Sequence, residues 1–192
     1  MAERPLGRLA RIQVQREPLK TSGVGYDPGP ILDVDRAAIG PLGIAGSHEG
    51  AWVLDVHHAA HPRVRGGGNR ALSIGFAGHY RRISERFGST PFGCGGENLI
   101  VDSDARVHLA DLGETIVIRG ADGDLMLRSP RVAAPCAEFT SFLKGLDVVL
   151  PQRDQADDVS FLDDGMRGYI LGVDHLEASH LVAVGDEVLL VG

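Results

Sequence analysis

Cysteine, long apolar runs and surplus basic charge are all scarce in this sequence, and each scarcity excludes a class of protein. Two cysteines, Cys94 and Cys136, are too few to make disulfides the organising principle of a 192-residue chain. No apolar stretch approaches the roughly 20 residues of a membrane-spanning helix. Gly, Asp or Arg interrupts every candidate, so no membrane role is expected. Met1-Ala2-Glu3-Arg4-Pro5 lacks the apolar segment of a secretory signal, which makes the cytoplasm the expected location. Against 26 Asp and Glu there are only 19 Lys and Arg, a formal net charge of −7. That balance argues against nucleic acid as an electrostatic partner. Flavin, haem and iron–sulfur motifs are also missing.

What is present is ordinary in amount and informative in arrangement. Hydrophobic residues make up 43% and charged residues 23%, the composition of a globular chain. This length suits one domain, residues 1–192, and buries roughly 70% of the extended chain's surface on folding. With 26 glycines, 10 prolines and few helical periodicities, the pattern favours many short strands joined by turns.

Along the chain, Gly7 to Arg16 ends in alternating apolar and polar residues and reads as a strand. Lys20 to Gly46 reads as strand fragments and loops, and Ala51 to Val56 as a buried strand. Tyr80, Ile83 and Phe87 share a helical face that Gly88 closes. Glu114 to Arg119, the turn Gly120-Ala121-Asp122-Gly123, and Asp124 to Arg128 form a hairpin. A short helix begins at Pro135, with Phe139, Phe142 and Leu143 as its apolar face and Gly145 as its stop. Gln152 to Asp158 is polar and aperiodic, a mobile loop or lid. Tyr169 to Val173 and Glu187 to Val191 are closing strands. Gly113-Glu114 and Gly185-Asp186 each put a Gly-acid turn before a β-rich run. The expected architecture is mainly β with short helices (α+β), a closed or nearly closed barrel.

Cys136 is the foremost chemical candidate. It lies at the start of the predicted helix, with Arg128 and Arg131 shortly upstream, and helix N-termini and cations both favour thiolate. The dipole supplies about 0.3–1 kcal/mol, up to about 2 when partly buried. A fully ionised sulfur therefore needs an arginine or a metal as well. The other reading of a free cysteine is a small buried hydrophobe. Gly95-Gly96-Glu97-Asn98 can let a ligand approach the backbone, or can simply turn the chain before Leu99-Ile100-Val101. Arg65 to Leu72 places glycines between arginines, as a phosphate cradle would, yet has neither dinucleotide nor P-loop spacing. His57, His58 and His61 read as a locally hydrogen-bonded cluster rather than a metal site.

Six segments in order resemble the MOSC family, named for the C-terminal domain of molybdenum cofactor sulfurase. Gly43-Ile44-Ala45-Gly46-Ser47-His48 is similar to its Gly-Leu-x-Gly-Asp-x-His motif. Arg65 to Leu72 resembles His-Gly-Gly-x-Asp-Arg-Ala-Leu, and Phe92 to Leu99 resembles Phe-Gly-Glu-Asn-Leu with extra residues inside. Arg131 to Cys136 is similar to Pro-Arg-x-Pro-Cys, and Gly165 to Tyr169 to Gly-Arg-x-Gly-Trp-Tyr. Val184 to Val188 matches the closing Gly-Asp strand. Ser47, Arg65 and Ala134 depart from the family pattern, and Cys94 is an addition to it.

The resemblance implies a MOSC-type closed β-barrel with Cys136 as catalytic residue and metal ligand. It also implies a molybdenum cofactor (molybdopterin), with Arg70, Glu97, Asn98 and Arg131 as cofactor-side contacts. Three uses of that site stay open. One is reduction of N-hydroxylated compounds with electrons from a separate donor protein. Another is sulfur carriage on a Cys136 persulfide loaded by a sulfur-donor protein. The third is a non-catalytic binding module. Cys94 either approaches Cys136 as a resolving thiol or points elsewhere. Substrate and oligomeric state are not legible.

Overall fold

The computed structural model describes residues 3–64 and 71–191. Its strands and helices follow the chain as β1 (Glu3–Gln15), β2 (Lys20–Thr21), β3 (Gly25–Tyr26), β4 (Ile31–Val34), β5 (Arg36–Gly40), β6 (Gly43–His48) and β7 (Ala51–Leu54). Then come β8 (Leu72–Phe76), α1 (Ala77–Phe87), β9 (Leu99–Val101), α2 (Leu109–Leu112), β10 (Thr115–Gly120) and β11 (Gly123–Val132). The last are α3 (Ala137–Leu143), α4 (Ala156–Leu162), β12 (Tyr169–Gly172), β13 (His180–Ala183) and β14 (Glu187–Val191).

Seven strands close on themselves in the order β14-β10-β11-β12-β8-β9-β1, with β1 pairing back to β14. The barrel is mixed, because β8 and β9 run parallel and the other neighbours antiparallel. Closure leaves these strands without open edges. The long β1 makes it possible: it pairs with β14 near its start, β9 in its middle and β4 at its end. Register shifts between Pro5 and Gly7 and between Leu9 and Arg11 bend it from one partner to the next. Gly7 is required there, since a side chain would collide with Asp102, whose carboxylate accepts the Arg8 N–H at 2.6 Å. A second sheet, β13-β5-β6-β7, lies outside the barrel.

The interior is lined by β-branched and leucine side chains, Ile12, Ile74, Leu99, Ile116 and Leu127 among them, with Tyr169 and Phe76 the largest. The β10–β11 hairpin turns at Gly120–Gly123 as the sequence suggests. β14 lies antiparallel beside β10, so the two strands that begin with Gly-acid turns are neighbours. A second cluster packs outside the barrel wall: Tyr80, Ile83, Cys94, Ile100, Phe139, Leu143, Leu162 and Met166.

Three expectations need correction. Ala51–Leu54 is not a buried strand but half-exposed β7, at the end of the second sheet with Trp52 in solvent. The helix expected from Pro135 begins at Ala137, and Cys136 is its N-cap. Gln152 to Asp158 is no loop: a 3-10 turn over Gln152–Gln155 leads into α4. Buried Gln155 anchors it, its Nε2 donating to Ala137 O (3.1 Å), Leu150 O (2.8 Å) and Ser141 Oγ (3.2 Å). Asp158 adds ion pairs to Arg86 (2.9 Å) and Lys144 (2.8 Å). No helix of the described residues is long and apolar enough to cross a membrane.

His79 on α1 is 1% exposed, and its Nε2 accepts the Val107 N–H at 3.0 Å. Burial, helped by Arg106, lowers its pKa to about 4. Unfolded, it titrates near 6.5. The folded state therefore binds fewer protons, so His79's contribution is intact above pH 6.5 and is lost as pH falls towards 4. That loss amounts to up to about 3 kcal/mol. Urea midpoints measured across this window should fall more steeply for the native protein than for His79→Gln.

Candidate functional site

Cys136 follows directly on β11's exit loop, with extended backbone (φ −134°, ψ 158°). Its carbonyl receives the Thr140 N–H (3.0 Å) and the Thr140 hydroxyl (2.9 Å), which starts α3. No side-chain cap is formed, and seven residues make a short helix with little dipole to offer.

The cation at the sulfur comes from elsewhere. Arg167, in the turn before β12, places Nη1 4.0 Å from Cys136 Sγ and 3.0 Å from Ala134 O. Its guanidinium lies over the Phe139 ring, 4.9 Å from the centroid, with the Tyr26 hydroxyl close by. That hydroxyl donates in turn to Cys94 O at 2.7 Å. Among the described residues no carboxylate forms an ion pair with Arg167. Burial alone would lower its pKa, but Tyr26, Cys136 and Glu97 around it raise it. The half-buried guanidinium thus faces the sulfur of Cys136 with no carboxylate ion pair of its own among the described residues.

On the other side of Cys136 is Glu138, whose Oε1 accepts the Gly23 N–H at 3.0 Å and whose Oε2 lies 3.9 Å from Lys20 Nζ. Burial opposes ionisation of Glu138, but the Gly23 N–H and Lys20 together hold its carboxyl below the usual range. The β2–β3 hairpin is thereby fastened to α3. Tyr26 completes the seal, packing its ring 5.0 Å from Phe139 and 5.3 Å from Phe142.

Adjacent residues Glu97 and Asn98 face different ways. Glu97 is 5% exposed and accepts the Tyr80 hydroxyl at 2.5 Å, while Tyr80 accepts the Gly95 N–H at 3.0 Å. Asn98 turns to the barrel side and uses its whole amide. Oδ1 accepts from Ser73 N and Oγ, both at 3.0 Å, and Nδ2 donates to Gln13 O (3.2 Å) and Asp55 Oδ2 (2.9 Å). A cofactor contact from this side chain would have to displace one of these bonds. Arg131 stands exposed on β11 opposite Ile170, while its neighbour Val132 packs on the core. Arg70 and the rest of the Arg65–Arg70 segment lie outside the described residues.

Cys94 is unpaired and 3% exposed, in the cluster on which Cys136 also packs. Burial pushes its thiol up to about 12, so it is protonated at neutral pH. His57 bonds buried Asp55 through Nδ1 at 2.9 Å, and His58 and His61 accept backbone N–H groups two residues on. No group of three metal-ligating side chains occurs among the described residues.

Two cavities flank Phe92. One, of about 470 Å³, includes Arg11, Asp33, Ser47 and His48; the other, of about 550 Å³, includes Tyr80, Arg81 and Thr90. Cys136 lines neither. The sequence did not single out Arg167, Tyr26 or Tyr80 as site residues. Arg167 lies inside the Gly165–Tyr169 motif, which was the available signal for it.

No family model and no curated protein sequence matches this chain. Solved structures do. The YUAD protein from Bacillus subtilis is 19% identical with a TM-score of 0.60, covering 98% of this chain and 96% of that one. YiiM from Geobacillus stearothermophilus is 16% identical with a TM-score of 0.54, covering 96% and 75%. A hypothetical protein at 17% identity and TM-score 0.52 covers 96% and 69%. At such identities the likeness is one of fold: a closed, mixed seven-stranded barrel with few short helices, which fits the MOSC-like architecture the motifs imply.

If Asn98 serves the barrel, Asn98→Ala should cost about 2–4 kcal/mol by taking one of the donors from Asp55 and unpairing two backbone groups. Denaturant unfolding measures this. Alkylation of Cys136 in the folded variant should proceed at the native rate.

Proposed function

We propose that this chain is a MOSC-type protein in which Cys136 is the thiolate ligand of a molybdenum cofactor. In this reading it reduces N-hydroxylated compounds with electrons delivered by a separate protein. The observation that carries the reading is the Arg167 guanidinium, 4.0 Å from the Cys136 sulfur and without a carboxylate partner among the described residues. The ordered motifs and the barrel fold support it.

The donor chemistry fits in part. A cysteine sulfur that faces a guanidinium suits a soft metal. Asn98 does not fit as a cofactor contact, because its amide is fully engaged within the protein. Arg131, exposed on β11, is left as a candidate for the phosphate end, together with Arg70. When bound, the cofactor supplies two-electron redox chemistry. The chain's own groups do the rest. Cys136 Sγ would hold the metal through its sulfur, and Arg167 would balance the charge on that sulfur. Tyr26 and the Phe139 ring fix the guanidinium and keep water from one of its faces. Cys94, protonated and buried, does not compete for the metal.

The same guanidinium also suits a Cys136 persulfide anion, which is the second reading. In that case buried Cys94 is a poor internal acceptor, since thiolate is the attacking form. The sulfur would pass instead to a thiol on a partner protein.

Elemental analysis after gentle purification tests these readings. Molybdenum with pterin, lost in Cys136→Ser, is the expected result. Labile sulfane sulfur without molybdenum would replace the first reading by the second, and neither would leave a binding module. Arg167→Met should slow alkylation of Cys136 by iodoacetamide about tenfold or more, as loss of a charge-assisted contact of about 1.5–3 kcal/mol requires.

A further inference from the structure

The hairpin of β2 and β3 belongs to neither of the two larger sheets. Its strands are two residues each, Lys20 pairing with Tyr26 and Thr21 with Gly25. A hairpin of that size does not hold itself together in water. Little packing supports its tip. Val24 is 71% exposed, and a side chain at Gly23 or Gly25 would meet nothing within 4 Å. Its base, by contrast, is firm. Leu19 is buried, the Asp27 N–H donates to Leu19 O at 2.8 Å, and Pro18, Pro28 and Pro30 stiffen the chain on either side.

The attachments that hold the hairpin down all lie beside Cys136. Gly23 N–H donates to Glu138 Oε1 at 3.0 Å, and Lys20 Nζ lies 3.9 Å from Oε2. Glu138 is in the first turn of α3, two residues beyond its N-cap, Cys136. The Tyr26 hydroxyl donates to Cys94 O at 2.7 Å, and its ring packs 5.0 Å from that of Phe139, which carries the Arg167 guanidinium. Tyr26 and Cys136 pack, partly buried, on the same apolar cluster. The hairpin therefore lies along the turn that presents the sulfur. Lifting it breaks two hydrogen bonds, one long ion pair and the contacts of one ring, and no rung of either large sheet. Segments so lightly held open at the low end of the stability range.

We propose that residues 20–26 form a lid over the Cys136 site, hinged at Leu19 and Asp27 and latched by Glu138 and Tyr26. Closed, it keeps bulky molecules from the sulfur, which lines neither of the cavities beside Phe92. Open, it admits a large ligand, and in the reading above that ligand is the pterin cofactor. The identity of the occupant rests on that reading, whereas the lid is tested without it.

In a Cys94→Ser background Cys136 is the single thiol. It is modified in parallel by iodoacetamide and by pyrenyl iodoacetamide, which carries the same reactive group on a bulky uncharged body. Both reagents attack the same thiolate, so the ratio of their rates reports access and not ionisation. The ratio in the urea-unfolded chain is the reference. The native protein should disfavour the bulky reagent. Glu138→Ala, which removes the latch's charged acceptor, should raise the bulky-to-small ratio about tenfold. Tyr26→Phe, which keeps the ring and loses the hydroxyl bond, should raise it by less. Hydrogen exchange over residues 20–26 should quicken in both variants while β1 exchanges at the native rate. A native ratio equal to the unfolded one, a ratio that neither variant moves, or faster exchange spread through β1 overturns the lid. Should Glu138→Ala fail to fold, Tyr26→Phe and Lys20→Met carry the test, and an unmoved ratio in both overturns it. Ratios that move as expected in a protein purified without molybdenum remove the cofactor and leave the lid; molybdenum with unmoved ratios does the reverse.

Discussion

The buried carboxylate of Asp55 ties the chain leaving the outer sheet to two neighbouring strands of the barrel wall. It is 0% exposed, and four donors converge on it: Gln15 N–H at 2.7 Å, Asn98 Nδ2 at 2.9 Å, and the His57 backbone and ring nitrogens, each at 2.9 Å. These come from the end of β1, the start of β9 and the chain leaving β7. A charge buried this deeply persists only when its acceptor sites are filled. Each of the three segments is therefore fixed by the need to satisfy the same group. The outer sheet is moored to the barrel there, and Asn98, fixed at the same point, orients Glu97 towards the opposite side.

That arrangement explains why the fold was more legible than the site. The apolar lining of β8, β10 and β14, the hairpin at Gly120–Gly123 and the helix through Tyr80 and Ile83 follow from local periodicity and turn chemistry, which a sequence displays openly. The alternation of β1 was misleading in one respect. Gln13 and Gln15 occupy the polar phase of the strand and should face solvent, yet both are buried. Their amides donate to Gly93 O at 2.8 Å and Gly96 O at 2.7 Å, clamping the glycine-rich loop over the barrel wall. Partners some 80 positions away leave no periodic trace. Gln155 hid α4's mooring in the same way, because one buried amide among acids and glutamines reads as a polar loop.

Within the site, Cys136 could be picked out because its motif travels with it, whereas its environment could not. Upstream arginines looked like its electrostatic support, but β11 carries Arg131 exposed beside Val132's inward face, as strand alternation dictates. The guanidinium found beside the sulfur is that of Arg167, 31 positions further on, brought back by the pairing of β12 with β11. Asn98 shows the converse failure. A polar residue beside glycines suggested a ligand contact, and its four hydrogen bonds are structural in this fold.

The glycines that looked like a ligand-binding loop do leave space, but the protein's own side chain fills it. Gly95 clears room for Glu97 from within the loop, while Gly75 does so from β8 and Gly168 from the turn before β12. The same loop supplies Cys94 O to Tyr26 and Gly95 N–H to Tyr80. Its backbone thus fixes the two phenols that flank Arg167 and Glu97. The guanidinium is confined between the Phe139 ring, a phenol and a carbonyl, none of which carries charge at neutral pH. A cation so enclosed cannot lower its energy by moving towards water without breaking the Tyr26 and Ala134 contacts. The group it faces across its remaining side is the sulfur of Cys136, 4.0 Å from Nη1.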